Sequence, residues 1–514
     1  MKRRVWLQWS AVNVGSGWLL AGCGGDGGDN SNNGGDTAPG LGLSWASEQL
    51  LYATTNNEWL YLRPDSLLAD GMGGAWMCAG VVNPALGLSP EQAQAPALRG
   101  LWLQRVDLAT GQWSDPRIFS TSAPPIQGTD GSARGQLAAL GQGAMLMVGR
   151  TAWSPDYFSY IYSTATGEWT ETSLGQLSSS HTVFLRSGPN GDTILIGYAT
   201  PGDGWSRRFD VANQSWKATQ TFGVDSVVDV SGVPPGWPVD LRRRLTCATV
   251  DAQGRALFLM QIGGADKPLT VWSNAVDTDA WVSTPLPLSQ PSGRTVPNGC
   301  ADLAVDSAGN VLVVWLEDDG SGVGHLVEAR LAAGSTAWST QVVQQLPVPV
   351  LDDALGQYAT AWFKLAMDAA GNAWLYGKTD NALYRRPAAT GTWQRLPLAP
   401  GLAPEGAQVE QLVLDRQGNA TLAGLWPAAL STATTVPSVW WNRYDAELDQ
   451  WNGPAQYSVG ADEAGNAGQA VYPRMAASPE GPVAMALGNV SQHPGNYWVL
   501  YSIGATRVWG SVLR

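Results

Sequence analysis

A short stretch with an acidic residue and a glycine is the first place where this sequence could carry chemistry. Residues 305–315 read VDSAGNVLVVW, with Asp306 three positions before Gly309. An Asp-x-x-Gly-Asn core supplies oxygen donors suited to half of a calcium loop, and its glycine suits a phosphate-binding turn. The same residues also make tight turns, because Asp bonds back to nearby backbone and Gly accepts a positive φ. One copy leaves all three interpretations open.

Residues that commonly hold metals or carry catalysis are sparse in this chain. The three histidines, His181, His325 and His493, are far apart in sequence, so a His-based metal centre is not expected. There is no nucleophile elbow, Walker loop or dinucleotide-binding glycine motif. The acidic stretch from Glu317 to Gly320 reads first as a loop, with a structural calcium site as the alternative. The sequence therefore predicts no catalytic residue, no metal ligands and no cofactor.

The opening motif is repeated along the chain. Eight related stretches begin at Ala69, Ala139, Ser187, Val250, Val305, Met367, Leu414 and Ala477. A residue that every repeat carries is best explained by structure, because each unit needs the same turn. The calcium and phosphate interpretations therefore give way to a turn between two strands.

A second landmark, typified by a Thr-Gly-x-Trp turn at the end of a strand, follows each copy. Its tryptophans are Trp113, Trp169, Trp216, Trp281, Trp338, Trp393, Trp451 and Trp509. A period of about 57 residues with four strand-like segments predicts the blades of a β-propeller. The predicted fold class is all-β, a single propeller of about eight four-stranded blades over residues 43–514, with seven blades as the alternative. Trp59 keeps the period, so residues 47–63 are predicted to add a strand pair that closes the ring.

One strand corner resembles a known propeller family. The stretch YRRPAATGTWQRLPL, which begins at Tyr384, is similar to the corner of the kelch repeat. The paired glycines of that repeat are mostly absent, apart from Gly263 and Gly264, and the Asp-box of sialidases is not matched. The resemblance implies architecture and not activity. We expect the recurring Trp to pack between blades, since an indole combines a large apolar surface with one N–H donor.

A ring of varied residues is the predicted binding site. Four positions before the Asp of the opening motif, the residue is polar or Cys in seven repeats: Ser66, Gln136, Cys247, Asp302, Lys364, Gln411 and Arg474. Because the first strand of each propeller blade lines the central channel, these residues are predicted to surround one mouth of it. Such a convergent polar set can orient a small ligand. The alternative is a hydrated channel end whose charges satisfy one another.

The longer connections that open on the same face are a second predicted binding surface. They span residues 80–100, 225–245, 285–299, 344–361 and 426–438, and are rich in Pro, Gly and small polar residues. Binding sites on rigid scaffolds are commonly carried by such loops.

Three cysteines follow Cys23. Cys247 and Cys300 lie at the start of first strands in neighbouring blades, so a disulfide between them is one prediction and two buried thiols are the other. Cys78, on a second strand, is predicted to be a small buried apolar residue.

The N-terminus predicts an exported, lipid-anchored protein. MKRR begins residues 1–22, and Leu20-Ala21-Gly22-Cys23 resembles the lipobox of bacterial lipoproteins, which implies lipidation of Cys23. Gly24 after the cysteine implies sorting to the outer membrane, on the periplasmic or the surface side. Arg3 and Arg4 resemble a twin-arginine export motif, with an ordinary Sec signal as the alternative. Residues 23–42 are the lipidated Cys and a Gly, Asn and Asp linker with too few apolar residues to fold.

Charge narrows the range of partners. The formal net charge is −13, which disfavours nucleic acid, because phosphate binding needs a surplus of Lys and Arg. The favoured hypothesis is a lipoprotein, attached to the membrane through its N-terminal lipid, whose propeller binds or scaffolds an envelope protein or a glycan. One alternative is a propeller enzyme that acts on glycans, as a sialidase-like hydrolase or a lyase. Another is an accessory lipoprotein in outer-membrane protein assembly.

Overall fold

The computed structural model describes most of the predicted propeller. The described residues are 43–46, 49–53, 59–62, 66–82, 100–120, 134–150, 157–172, 174, 177, 182–198, 203–223, 244–261, 269–287, 289, 294–296, 300–347, 363–378, 380–398, 401–407, 409–425, 438–458, 471–490 and 503–514. The predicted signal peptide (1–22) and the lipidated Cys23 with its linker (23–42) lie outside them. Most of the long predicted binding loops do as well, including 83–99, 224–243, 348–362 and 426–437.

The described chain consists of β-strands. Two strands come first, β1 (Gln49–Ala53) and β2 (Trp59–Leu62). Blade 1 is formed by β3 (Leu67–Ala69), β4 (Gly74–Val82), β5 (Gly100–Asp107) and β6 (Arg117–Ser120). Blade 2 is formed by β7 (Arg134–Gly141), β8 (Ala144–Arg150), β9 (Tyr157–Ser163) and β10 (Glu168–Thr172). Blade 3 contains β11 (Thr182–Ser187), β12 (Thr193–Tyr198), β13 (Asp203–Asp210) and an outer strand in two pieces, β14 (Ser215–Trp216) and β15 (Gln220–Gly223).

The remaining blades repeat this order. Blade 4 is formed by β16 (Arg244–Val250), β17 (Ala256–Gln261), β18 (Leu269–Asn274) and β19 (Trp281–Pro285). Blade 5 is formed by β20 (Ala301–Val305), β21 (Val311–Asp318), β22 (Val323–Leu331) and β23 (Trp338–Pro347). Blade 6 is formed by β24 (Phe363–Met367), β25 (Ala373–Gly377), β26 (Ala382–Arg386) and β27 (Gln394–Pro397). Blade 7 contains β28 (Gln411–Leu414), β29 (Ala420–Leu425), β30 (Ser438–Asp445) and the outer pieces β31 (Gln450–Trp451) and β32 (Ala455–Ser458).

Blade 8 is built from both ends of the chain. Its first three strands are β33 (Val471–Ala477), β34 (Val483–Val490) and β35 (Ile503–Leu513), and β1 pairs antiparallel with β35 as the fourth. β2 pairs with both β35 and β4, and thereby joins blade 8 to blade 1. The predicted ring-closing strand pair is confirmed, and the molecule is an eight-bladed β-propeller. Within the described ranges, no helix is both long enough and apolar enough to cross a bilayer.

The predicted corner tryptophan of blade 8 is wrong. Trp509 lies inside β35, whereas Trp45 forms a bridge with Leu513 at the end of that strand. The corner Trp of blade 2, Trp169, pairs in the same way with Tyr162 near the end of β9. Because the fourth strand of blade 8 comes from the N-terminal part of the chain, its corner Trp comes from there too.

The corner tryptophans pack against the preceding blade, as predicted. Trp45 makes edge contacts with Trp441 and Tyr457 of blade 7, at centroid distances of 5.7 and 5.6 Å. Trp169 contacts Trp76 of blade 1 at 5.2 Å. Aromatic pairs at these distances stabilise beyond the area that they bury.

The core lies between the blades. The second strands are buried on both faces, so β21 (VLVVWLED) and β25 (AWLYG) read as continuous apolar runs. One cluster joins Leu259 and Val271 of blade 4 to Val313 and Trp315 of blade 5. Strand alternation sends the other side of blade 5, including Val314, against blade 6. Each blade is therefore a sheet with apolar surfaces on both sides.

The repeated acidic motif is a turn. The Asp306 carboxylate accepts the backbone N–H groups of Ala308 and Asn310 at 2.9 and 2.8 Å, and also the Asn310 side-chain amide at 2.7 Å. Gly309 has a φ of 89°, a region that favours glycine. The carboxylates of Asp251, Asp368 and Asp415 accept main-chain and side-chain groups of their own turns in a similar way. Asp70 accepts the main-chain N–H groups of its turn and the side chain of Arg105 on β5.

Candidate functional site at the channel mouth

The propeller has two distinct ends. The turn face carries the connections between first and second strands and between third and fourth strands, including the Asp306 turn. The loop face, at the other end, carries the remaining connections. The first strands β3, β7, β11, β16, β20, β24, β28 and β33 each contact the next and form a closed circle around the central axis.

The predicted ring residues occupy one level of that circle, toward the loop face. Each lies opposite the same point of its second strand, through the pairs Gln136 with Val148, Cys247 with Leu259, Asp302 with Val314, Lys364 with Tyr376, Gln411 with Ala423 and Arg474 with Ala486. The backbone oxygen of Ser66 accepts the N–H of Cys78 in blade 1. We call these seven residues the channel ring. The structure brings them together at equivalent positions, and their predicted role in binding a ligand stays a prediction.

The third blade contributes an apolar residue at the same level. Phe184 pairs with Ile196 in the register of the ring residues. The repeat of blade 3 has Gly188 at the position where most repeats have the turn Asp. Phe184 was therefore not found by counting back from that Asp. The backbone bond from Gly188 N–H to Asp192 oxygen, which matches that of Asp306 to Asn310, identifies the equivalence.

Several ring side chains bond to the next blade. Gln136 Oε1 accepts the N–H of Leu185 at 2.8 Å, which joins blade 2 to blade 3. Asp302 Oδ2 accepts the N–H of Leu365 at 2.8 Å, which joins blade 5 to blade 6. Charged and polar side chains thus reach backbone groups that belong to the neighbouring first strand.

The two cations of the ring make the same kind of contact. The Lys364 ammonium group donates to the backbone oxygen of Glu410, just before β28 in blade 7. Arg474 donates to its neighbour Pro473 at 3.1 Å and to Leu62 at the end of β2 at 3.5 Å. Arg474 therefore lies at the junction where the ring closes.

The predicted disulfide does not form. Cys247 and Cys300 are thiols in the structure, as is Cys78, which is buried as expected. Cys247 packs on the side of blade 5 that faces blade 4, whereas Cys300 packs on the side that faces blade 6. A sheet separates the two sulfur atoms, so backbone movement would be needed to join them. Burial raises the pKa of the Cys300 thiol, which keeps it protonated.

Two ring residues, Asp302 and Lys364, have pKa values that are shifted toward neutral pH. Burial raises the pKa of Asp302 to about 6, opposed by hydrogen bonds from Leu365, Leu303 and the Cys247 thiol. Burial also lowers the pKa of Lys364 to about 8, because loss of contact with water disfavours the charged ammonium form. Asp302 and Lys364 are nevertheless partly exposed, as expected for side chains beside a channel.

Charge is unevenly distributed around the ring. Lys364 interacts electrostatically with Glu410, Arg474, Lys378 and Asp302, which come from blades 5 to 8. We call these five residues the charged half of the mouth. The ring positions of blades 1 to 4 are the uncharged Ser66, Gln136, Phe184 and Cys247. Lys378 and Glu410 were not predicted from the sequence, although Glu410 directly precedes the ring residue Gln411.

The acidic stretch that begins at Glu317 is occupied by protein contacts. Buried Glu317 accepts from Arg294 at 3.1 Å, from the Trp315 indole at 3.0 Å and from the Ser289 N–H at 2.8 Å. These contacts hold the connection between blades 4 and 5, part of the predicted 285–299 loop. Asp319 accepts the N–H of Ser321. Over the described residues there is no cluster of three or more His, Cys, Asp or Glu residues that could hold a metal ion.

Comparisons with known proteins agree on architecture only. No protein-family profile matches the chain, and no curated protein matches it in sequence. Among solved structures, the Dos1 propeller is 7% identical, with 88% of this chain and 95% of that one covered and a TM-score of 0.45. Virginiamycin B lyase from Staphylococcus aureus is 11% identical, covering 79% and 98%, with a TM-score of 0.37. A copper-bound fungal alcohol oxidase is 12% identical, covering 91% and 99%, with a TM-score of 0.40. These proteins differ in function, so their likeness carries no activity over to this chain.

Proposed function

We propose that the protein is an envelope-anchored lipoprotein whose propeller binds or scaffolds a protein or a glycan through its loop face. The fold suits a binding or scaffolding module, because a rigid ring of blades displays many connections at one end. The N-terminal sequence supports the anchor, since residues 20–23 resemble a lipobox and residues 24–42 have the composition of a tether.

The place where the chain enters the ring carries this proposal. Ala46 N–H donates to Val512, and Trp45 bridges to Leu513, both at the turn-face end of β35. The first residues described after the linker therefore lie on the turn face. The proposed anchor is thus attached at the turn face, and we assign partner binding to the loop face at the opposite end of the propeller.

The lengths of the connections support the same assignment. On the turn face the opening motifs are short and repeat from blade to blade, as in 306–310, 368–372 and 415–419. Connections of the loop face differ widely in length, from four residues at 319–322 to the long segments 224–243 and 348–362. Variable connections on a constant scaffold are where recognition usually evolves.

Capture from the envelope tests the proposal. The tagged full-length protein is purified from detergent-solubilised envelopes beside two variants, one with 348–362 replaced by a short Gly-Ser linker and one with Glu447→Ala on the turn face. We expect the wild type and the Glu447 variant to retain the same partner or glycan, and the loop variant to lose it. No enrichment over an unrelated lipoprotein would contradict the proposal. In parallel, Cys23→Ser should move the protein from the membrane pellet to the soluble fraction.

A glycan-active enzyme is the second candidate, and the pair Asp302 and Lys364 favours it. Their pKa values of about 6 and about 8 lie on either side of neutral pH, the range in which general acids and bases work best. Sugar release from a panel of envelope glycans that disappears with Asp302→Asn would support this role. A role in outer-membrane protein assembly would instead appear as co-purification of assembly components with the wild-type protein.

A further inference from the structure

The charged half of the channel mouth has a surplus of positive charge in an acidic protein. Among the charged groups that act most strongly on Lys364 are the cations Lys378 and Arg474 and the carboxylates Glu410 and Asp302, whereas the whole chain has a net charge of −13. These groups come from four successive blades. The fold therefore concentrates at one point a cationic field that the sequence as a whole does not have.

The two acidic residues of the charged half are held in different ways. Asp302 accepts the N–H groups of Leu365 and Leu303, each at 2.8 Å, and also interacts with the Cys247 thiol. Glu410 is held through its backbone, with its N–H bonded to Ala423 and its carbonyl oxygen to Lys364. The Asp302 carboxylate is thus committed to hydrogen bonds with the blades and cannot swing freely to neutralise Lys364.

Lys364 retains donor capacity. Its ammonium group bonds to the backbone oxygen of Glu410 and lies 3.5 Å from that of Val409. An ammonium group has three N–H donors, and the third meets no acceptor among the residues that the structure describes. The side chain is partly exposed beside the channel, so a small solute can approach it.

We propose that the charged half of the mouth is an anion site that takes the carboxylate of a small organic acid, with Lys364 as the direct donor. Arg474 and Lys378 supply additional positive potential. The hydroxyl of Tyr376, which lies opposite Lys364 on β25, donates a hydrogen bond to Asn381. On the uncharged side of the ring, Phe184 is partly exposed and presents an aromatic side chain to the rest of the ligand. A sugar acid fits this arrangement, because its carboxylate can bind Lys364 while its ring packs on an aromatic surface. The inference rests on the proposed binding function and names its ligand class.

Paired sugars provide the first test. Galacturonate and galactose share a ring and differ in a carboxylate, and acetate is the minimal carboxylate. Titration of the full-length protein should show binding of galacturonate, weaker binding of acetate and no comparable binding of galactose. Equal binding of galacturonate and galactose, or binding of neither galacturonate nor acetate at millimolar concentration, would overturn the inference. If envelope capture still succeeds in that case, the proposed function stands while the carboxylate site fails.

A pair of charge-removing variants provides the second test. Lys364→Gln keeps a donor for Glu410 but removes the charge, and should weaken galacturonate binding about 10-fold to 100-fold, as loss of a charge-assisted hydrogen bond does. Lys217→Met, an exposed lysine on the turn-face side of blade 3, serves as the matched control and should leave the affinity unchanged. Circular dichroism and the melting temperature of both variants verify folding. Unchanged affinity in folded Lys364→Gln would refute the assignment.

Proton uptake separates direct contact from a structural effect. The pKa of Lys364 is about 8, so at pH 8 about half of the lysines are neutral, and a bound anion would raise that pKa. Calorimetry at pH 8 in two buffers of different ionisation enthalpy should show fractional proton uptake with the wild type and none with Lys364→Gln. Equal uptake in both proteins would place the anion elsewhere.

Discussion

The turn face and the channel mouth use their acidic side chains in different ways. On the turn face, Asp415 accepts the N–H of Asn419 at 2.9 Å and pairs with Arg443 of the same blade at 2.8 Å, and both side chains are buried. At the mouth, Asp302 reaches the next blade and accepts Leu365, yet it stays partly exposed beside Lys364. Most blades have the same Asp-based turn on the turn face, whereas the side chain at the ring position of the mouth varies among the blades. Structural positions are therefore the repeated ones, and the positions that vary are where a ligand can be distinguished.

Removal of the ring-closing tryptophan should produce the largest effect on the turn-face side. Trp45→Ala deletes an indole that is 2% exposed and contacts Trp441 and Tyr457, so we expect a loss of about 4 kcal/mol in the free energy of unfolding. Urea denaturation followed by fluorescence measures it. Leu50→Ala in the adjacent β1, where the side chain is 49% exposed, is the control and should cost far less. Similar losses in both variants would show that Trp45 does not close the ring.

Loss of one turn carboxylate should be nearly as damaging. Asp415→Ala removes the turn bonds and leaves Arg443 buried without its carboxylate, which costs about 3 kcal/mol in comparable buried pairs. Exposed Glu447→Ala on the same face should change stability by less than about 0.5 kcal/mol. Urea denaturation of the two variants under the same conditions compares them. A loss of stability in Asp415→Ala as small as that in Glu447→Ala would show that the turn carboxylates are not structural.

At the mouth, stability should depend on pH through Asp302. Its pKa is about 6 in the folded protein and near 3.8 when unfolded, so the folded state binds more protons between these values. The contribution of Asp302 to stability should therefore increase as the pH falls from 6 to 4, by about 1–2 kcal/mol after allowance for solvent in the channel. Urea denaturation at several pH values, with Asp302→Asn as comparison, measures this change. The unfolding free energy of the wild type should rise relative to that of Asp302→Asn as the pH falls. Parallel pH profiles of the two proteins would contradict the expectation.

The smallest expected effect concerns the thiols. Because Cys247 and Cys300 lie on opposite sides of blade 5, reductant should change the unfolding free energy by no more than about 0.5 kcal/mol. Alkylation of the unfolded, unreduced protein followed by peptide mass analysis should find Cys78, Cys247 and Cys300 all modified. Protection of Cys247 and Cys300 until reduction would restore the disulfide and force a different packing of the two blades.

Much of the fold could be predicted because its repeated parts are local. The Asp306 turn is closed by residues two and four positions away, and such contacts leave a recurring pattern in the sequence. The repeat also located the ring residues. Asp302, four residues before Asp306, lies opposite Val314 at the same level as the other ring residues. The ring-closing strand pair and the preference for eight blades over seven followed from the period.

The parts that could not be predicted depend on contacts between distant residues. Trp45 replaced Trp509 as the corner of blade 8 because the ring closes through the other end of the chain. Lys378 and Glu410 joined the mouth only when blades 6 and 7 were placed side by side.

The sequence by itself indicated the repeated strands, the turns and the level of the channel ring, because each is encoded by short-range hydrogen bonds and a repeated apolar pattern. It favoured eight blades and left seven as the alternative. Only the tertiary structure decided which side chains meet. Asp302 and Leu365 are 63 positions apart, and nothing in either stretch specifies the other. Packing of successive sheets around one axis also set Cys247 and Cys300 on opposite sides of a blade and gathered three cations at one half of the mouth. These contacts depend on how successive blades are arranged around the ring, and the sequence of a single repeat does not specify that arrangement.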